Sequence, residues 1–196
     1  MFIEELRART KEDHQQLDKL LIPYIKGCNT VAKYADLLQC FYGYFHPLES
    51  LISAYIDDDI VPQYSRRRKS NVIEEELQSM HENLHAINED VPLPRIDNIA
   101  GALGAMYVLE GSTMGGKIIS KILAENLGKQ PSDIRFFNYY GDDTDVLWGQ
   151  FVQSLNMFAD ELEDAGKGVV ISVARNTFHC FKAWIEYYYL QKASGS

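Results

Sequence analysis

The sequence predicts an all-α fold, and three observations support this prediction. Apolar residues recur every three or four positions through several long segments, which is the period of an amphipathic helix, and the segment 98–127 has the length and apolar content of a buried helix. No segment alternates convincingly between apolar and polar residues, so no β-strand is predicted. The chain has no internal repeat and no linker rich in Pro, Gly and Ser. We therefore expect one compact multi-helix domain over residues 1–192, followed by a disordered tail at residues 193–196.

Prolines, glycines and charged residues between the apolar segments set the expected helix boundaries. The six predicted helices span residues 2–21, 30–56, 70–87, 98–127, 144–163 and 167–190. Pro23 and Gly27 should end the first helix, whereas Pro47 should kink the second helix without stopping it. The aromatic, turn-rich segment 129–143 is expected to be an ordered loop packed on the core.

The fourth predicted helix is apolar, yet it contains several glycines. These are Gly101, Gly104, Gly111, Gly115 and Gly116. Each glycine in a helix interior costs about 1 kcal/mol relative to alanine, so their number needs a reason. One reason is close helix packing through small residues, and the other is a bulky, flat ligand lying on bare backbone where the helix bends. This segment alone favours neither.

The first predicted helix has a polar stripe made of Arg7, Lys11, His14 and Asp18. Steps of four, three and four residues keep these side chains within an arc of about 60°. A solvated surface of mixed charge is the common explanation for such a stripe. The order of two cations, an imidazole and a carboxylate also suits a metal-ligating histidine that is oriented by the carboxylate, with cations for an anionic ligand.

The segment ARTKEDH around His14, together with YVLEGSTMGG in the fourth helix, resembles the heme oxygenases along the whole chain. The resemblance is closest to the bacterial branch that supplies biliverdin to phytochromes. It implies that His14 is the axial ligand of heme iron and that Lys11 meets a heme propionate. Arg7 is a second propionate candidate, and Asp18 stands where the family has a carboxylate bonded to the far nitrogen of the ligand.

The glycine-bearing helix resembles the kinked distal helix of that family, which covers the heme face away from the axial histidine. The match implies that Gly111 and Gly115 lie against heme. The stretches NYYGDDTDVLWGQF and ARNTFHCFKAW also agree with the bacterial branch, and Arg175 in the second matches a basic propionate contact. Ser112 stands where many heme oxygenases have an aspartate that organises water for proton delivery. We expect water held by serine and backbone to suffice here.

The resemblance implies an enzyme that opens the heme ring to biliverdin and releases carbon monoxide and ferrous iron. Heme would be both substrate and cofactor, with molecular oxygen and a redox donor protein, either a ferredoxin or a flavoprotein reductase. A phytochrome is a possible consumer of the biliverdin. Ser112 keeps open a second hypothesis, a heme carrier or sensor without activity.

A third hypothesis is a di-iron oxidase. His81 and His85 are four residues apart, and Glu82 forms a Glu-x-x-His pattern with His85. The sequence contains no second copy of this pattern, which weighs against the hypothesis. A solvated helix face is the simpler explanation of these residues.

Composition and charge narrow the class of protein further. The net charge of −9 argues against nucleic acid as the main partner. No apolar run reaches the length of a membrane span and the N-terminus has no signal peptide, so a cytoplasmic protein is expected. Cys28, Cys40 and Cys180 should be reduced.

Two other groups of polar residues are assigned simpler roles. The basic run 66–69 is expected to be a solvated face, with docking of an acidic electron-donor protein as an alternative. His46 and His179 are expected to be packed, hydrogen-bonded histidines.

Overall fold

The computed structural model describes residues 1–85 and 91–194, and within these ranges it contains six α-helices and no β-strand. The helices are α1 (Phe2–Gly27), α2 (Val31–Ser53), α3 (Asn71–Ser79), α4 (Ile99–Leu127), α5 (Thr144–Asp160) and α6 (Asp164–Ser194). Short 3-10 turns lie at Tyr64–Arg66, Pro131–Asp133 and Gly141–Asp143. The all-α prediction is confirmed.

Local chemistry explains where α2 and α4 begin and where α4 ends. Thr30 precedes α2 and its side chain accepts a hydrogen bond from the backbone N–H of Lys33. Asn98 precedes α4 and accepts in the same way from the N–H of Gly101, at 2.9 Å. Both side chains satisfy donors that a helix N-terminus leaves unpaired. Gly128 ends α4 in the left-handed region, with φ of 63°, where glycine is favoured.

The core is built around α4, which packs against α1, α2, α5 and α6. Every residue from Ala100 to Glu110 is buried, so this half of α4 is enclosed on all sides. Beyond Glu110 the helix has one buried face and one open face. α4 is continuous through Gly111, Gly115 and Gly116, and the kink expected there stays a prediction.

Two of the α4 glycines allow main chains to approach closely. A Cβ atom at Gly104 would overlap the carbonyl oxygen of Val170 in α6. A Cβ atom at Gly116 would overlap the carbonyl oxygen of Phe137, in the segment between α4 and α5. Backbone atoms cannot move aside as a flexible side chain can. Close packing therefore explains these two glycines.

We expect Gly104→Ala to lower the free energy of unfolding by about 1–3 kcal/mol, because the added methyl group overpacks the α4–α6 crossing. Helix propensity alone predicts the opposite sign. Gly149→Ala is the matched control, since Gly149 is exposed within α5 and has no atom within 4 Å of an added Cβ. That change should stabilise the protein by about 0.5–1 kcal/mol. Urea unfolding followed by circular dichroism measures the free energy of unfolding of both variants. Equal changes in this free energy would contradict the packing explanation.

The first helix is longer than predicted. α1 continues through Pro23 to Gly27, so the expected end near residue 21 is wrong. Pro23 lies on the exposed face, where water can reach the carbonyl that loses its helical partner. Burial of Ile25 beyond it favours continuation of the helix. α2 also continues through Pro47, as predicted.

The third helix is shorter than predicted, because it ends at Ser79 instead of near residue 87. Gln39 of α2 supplies the physical reason: its amide nitrogen donates to the carbonyl of Asn83 at 2.6 Å, and its amide oxygen accepts from the N–H of His85 at 3.1 Å. These bonds hold Asn83 and His85 against α2, after a turn in which His81 has φ of 60°. The predicted end at residue 87 lies outside the described residues.

The remaining predictions about organisation concern the loop, the chain end and the cysteines. Segment 129–143 is ordered on the core as expected, with Ile134, Phe136 and Phe137 buried. α6 includes residues 193 and 194 of the expected tail, and residues 195–196 lie outside the described part. The three cysteines are free, and burial raises the pKa of the Cys28 thiol to about 11.

Candidate functional site

A cavity of about 650 Å³ lies between α1 and α4, with further walls from α2, α5 and α6. This volume is within the range of pockets that bind small molecules and cofactors. Its sides are strongly aromatic, formed by Phe41, Tyr44, Phe45, Phe137, Phe178 and Phe181. The phenol of Tyr44 donates to the carbonyl of Thr177 at 2.8 Å, so even this polar group is already bonded. The cavity is therefore suited to a bulky, largely apolar ligand.

The polar stripe of α1 faces this cavity. Arg7, Lys11, His14 and Asp18 all line it, so the stripe is a wall of the site and not a plain surface face. The side chain of His14 is 58% exposed and its ring stacks on Phe178, with ring centroids 5.4 Å apart. Nε2 of His14 lies 3.5 Å from Oδ1 of Asp18, which is too long for a strong hydrogen bond.

Gly111 and Gly115 of α4 present bare backbone to the same cavity. A Cβ atom at Gly115 would meet no atom within 4 Å. At Gly111 it would meet only the Trp148 ring, at 3.7 Å, which is ordinary van der Waals contact. These two glycines therefore differ from Gly104 and Gly116, because protein packing does not require them. Close packing therefore does not explain Gly111 and Gly115, and for this pair the explanation by a bound ligand stays a prediction.

Ser112 lines the cavity, but its hydroxyl is bonded in both directions. It donates to the carbonyl of Leu109 at 2.6 Å and accepts from Nη2 of Arg68 at 2.7 Å. A hydroxyl has one proton to donate. Ser112 therefore cannot donate to a water in the cavity without giving up its bond to Leu109, but its second lone pair can still accept from one, so the expectation that it holds a water stays a prediction.

The basic run 66–69 was predicted to be a solvated face, and this prediction is wrong for its central residues. Arg67 and Arg68 are only 2% and 7% exposed, and Lys69 lies half-buried over the ring of Tyr64. Only Arg66 is exposed. Arg68 is a cavity residue that the sequence analysis missed.

Glu110 explains why Arg67 is buried, and it contacts the Arg68 backbone through Tyr140. Its carboxylate accepts from Nη1 of Arg67 at 2.6 Å and from the phenol of Tyr140 at 3.1 Å. Tyr140 in turn accepts from the backbone N–H of Arg68 at 2.8 Å. Burial, together with the nearby Glu110 charge, raises the pKa of Tyr140 well above its ordinary value. A lone carboxylate within an apolar helix was the signal in the sequence for a buried cation partner.

Arg175 does not line the cavity. Its Nε donates to Oδ2 of Asp13 at 2.8 Å, and Nε2 of His179 lies 2.7 Å from Oδ1 of the same carboxylate. Burial alone would raise the pKa of Asp13, but the bonds from Arg175 and His179 hold it below its ordinary value. The cluster ties α6 to α1 beside His14.

The histidines outside the cavity are less packed than predicted. His179 is hydrogen-bonded, as expected, but its side chain is 52% exposed. His46 is exposed, stacks on Tyr42, and has Nδ1 3.3 Å from the hydroxyl of Ser70. His81 and His85 do not share a helix face, since both follow the end of α3. In residues 1–85 and 91–194, no three His, Cys, Asp or Glu residues are grouped so that they could hold a metal ion.

The fold is all-α, and its cavity is suited to a bulky, largely apolar ligand, with Arg7, Lys11 and Arg68 as cations on its wall. The heme oxygenase family model matches residues 1–187, so the chain belongs to the heme oxygenase family, and membership implies that it binds heme. The protein is also similar to a solved NO- and CO-bound heme oxygenase from Neisseria meningitidis, with a TM-score of 0.78 and 21% sequence identity. That likeness covers 96% of this chain and 92% of the other.

None of the curated proteins matches the sequence. Among the described helices, none combines the length and apolar character needed to cross a membrane. The residues present fit heme on two observations. The Gly115 backbone is open to the cavity, and the exposed imidazole of His14 lines the same cavity with the exposed cations Arg7 and Lys11.

Proposed function

We propose that the protein is an active heme oxygenase that opens the heme ring to biliverdin and releases carbon monoxide and ferrous iron. Molecular oxygen is the oxidant, and the electrons come from a ferredoxin or a flavoprotein reductase. The observation that carries the proposal is that His14 and the bare backbone of Gly111 and Gly115 line one cavity. Membership of the family over residues 1–187 supports it.

On the α1 side, we assign His14 as the residue that would ligate heme iron and Asp18 as the carboxylate that would orient its ring. The exposure of His14 supports this role, because an imidazole must be accessible to serve as a ligand. Lys11 and Arg7 are assigned to the propionates, where a cation stabilises an anion in a partly buried site. Arg175 is a further candidate, since its terminal nitrogens make no hydrogen bond with the described residues.

On the α4 side, Gly111 and Gly115 let the ligand lie directly against the helix backbone. The bound ligand would then leave no room for a side chain at either position. Heme itself supplies the iron that activates oxygen. The aromatic walls exclude bulk water, which strengthens every polar interaction inside the cavity. We also propose a cytoplasmic location and a role in supplying biliverdin to a phytochrome, both from the sequence resemblance.

A heme carrier or sensor is the second candidate function, and one observation favours it. The Ser112 hydroxyl is bonded to both Leu109 and Arg68, so the position that provides a carboxylate in many heme oxygenases offers no free proton donor here. A carrier would bind heme as tightly as the enzyme does but would not open its ring.

A turnover experiment separates the two candidates. The protein is loaded with hemin without oxygen, and oxygen and a reductase system are then added. If the protein is an enzyme, its heme complex should lose the Soret band and yield a pigment that chromatography identifies as biliverdin. A Soret band that persists under these conditions supports the carrier, and the absence of any Soret band on adding hemin contradicts both.

We expect Ser112→Ala to slow ring opening several-fold while heme affinity changes by less than about twofold. The change removes one hydrogen bond that holds Arg68, worth about 1 kcal/mol, and no group assigned to binding heme. Ser112→Asp should leave the rate unchanged or raise it, because a carboxylate there faces Arg68. Single-turnover absorbance measures the rate and hemin titration measures the affinity. If the wild-type heme complex yields no biliverdin while Ser112→Asp does, the natural sequence is a carrier.

A further inference from the structure

Arg68 is a buried cation on the wall of the cavity. It is 7% exposed and lines the cavity beside Ser112. Its guanidinium lies 4.4 Å from the ring centroid of Phe136 and 5.5 Å from that of Phe45. Aromatic faces attract a cation but accept no conventional hydrogen bond, so they satisfy its charge only in part.

The hydrogen bonds of Arg68 use one terminal nitrogen. Nη2 donates to the carbonyl of Leu109 at 2.9 Å and to Oγ of Ser112 at 2.7 Å. Nε and Nη1 make no hydrogen bond within residues 1–85 and 91–194. A guanidinium has five N–H donors, so three of these donors have no protein acceptor in the described chain.

No carboxylate of the described residues lies within 4 Å of the Arg68 guanidinium. The nearby Glu110 is paired with Arg67 at 2.6 Å and also accepts from Tyr140. A buried cation without a direct counter-ion is costly unless an anion or a polarised oxygen approaches it. The cavity is the space from which such a group can come.

We propose that Arg68 is the hydrogen-bond donor for a small anionic or oxygen-containing ligand on the Gly111–Gly115 side of bound heme. Its bond to Ser112 fixes the guanidinium beside the bare backbone of α4. Arg68 then supplies the positive charge at the place where many heme oxygenases use a carboxylate and water. This assignment rests on the proposed function, because it requires heme in the cavity.

Fluoride is a suitable probe, since it is a small anion that accepts hydrogen bonds and undergoes no reaction. Sodium fluoride is titrated into the ferric heme complex of the full chain and binding is followed by absorbance. Arg68→Met should weaken fluoride binding at least about tenfold, as expected for loss of a hydrogen bond to a charged group. Arg66→Met is the matched control, because Arg66 belongs to the same basic run but is exposed, and it should leave the affinity unchanged. The affinity of the ferric complex for imidazole, a neutral ligand, should change little in either variant.

A second measurement does not depend on the Arg68 variant folding. The iron–fluoride stretch in resonance Raman spectra should shift between H2O and D2O, because the donors on Arg68 exchange. The shift should persist in Ser112→Ala, which keeps the guanidinium. A heme complex with no isotope shift, or with equal fluoride affinity in Arg68→Met and wild type, overturns this inference and leaves the proposed function intact. A protein that forms no heme complex overturns both.

Discussion

His14→Ala should fold like the wild-type protein and lose the imidazole-ligated spectrum of the heme complex. The side chain is 58% exposed, stacks on Phe178 and lies 3.5 Å from Asp18. Its removal creates no core cavity, so we expect the free energy of unfolding to change by less than about 1 kcal/mol.

The effect on heme should be much larger. Removing a group that only orients a metal ligand costs about 10- to 100-fold in metal affinity, and removing the ligand itself should cost more. Hemin titration measures the affinity, and resonance Raman spectroscopy of the ferrous complex reports the iron–histidine bond. His46→Ala is the control, because His46 is exposed and lies outside the cavity lining. An unchanged axial-ligand signature in His14→Ala would remove this residue from the site.

Gly115→Leu should abolish heme binding or displace the ligand, and it should do so without weakening the fold. An added Cβ at Gly115 meets no protein atom within 4 Å, so the side chain enters the cavity and not the core. Replacing glycine by leucine within a helix should also stabilise the apoprotein by up to about 1 kcal/mol. Gly115→Ala should be tolerated in part, because one methyl group fills little of the cavity.

Gly149→Leu provides the same chemical change outside the site. Gly149 is exposed in α5, does not line the cavity, and has no atom within 4 Å of an added Cβ. Both variants should therefore match or exceed the wild type in urea unfolding, while only Gly115→Leu loses heme in a hemin titration. If Gly115→Leu binds hemin as the wild type does, the ligand does not lie on this part of α4.

Helical spacing of apolar residues was sufficient to predict most of the helices, and length and apolar content were sufficient for α4, whose residues 100–110 are buried on all sides. Helical spacing did not predict helix ends that depend on distant partners. Nothing in residues 80–85 marks the end of α3, which is set by the Gln39 side chain on α2. Pro23 was a clear local stop signal, yet the burial of Ile25 carries α1 past it.

The candidate site was predicted for the residues whose spacing places them on one helix face. His14 with its polar neighbours, and Gly111 with Gly115, line one cavity, although their roles toward heme stay predictions. Arg68 was missed because a basic run is usually exposed, and its burial depends on contacts with α4 that no local pattern records. Spacing alone also could not separate the glycines required by packing from those that line the cavity. Gly115 and Gly116 are adjacent in sequence, yet Gly116 packs on the Phe137 backbone and Gly115 faces open space.

A crystal structure of the protein with hemin is the most direct test of the central claim, that heme binds between α1 and α4. We predict iron bonded to the imidazole of His14, with the opposite face of the ring against the backbone of Gly111 and Gly115. Lys11 or Arg7 should contact a propionate, and the Arg68 guanidinium should face the side of the iron away from His14. Heme bound outside this cavity, or inside it with another residue as the axial ligand, would contradict the account.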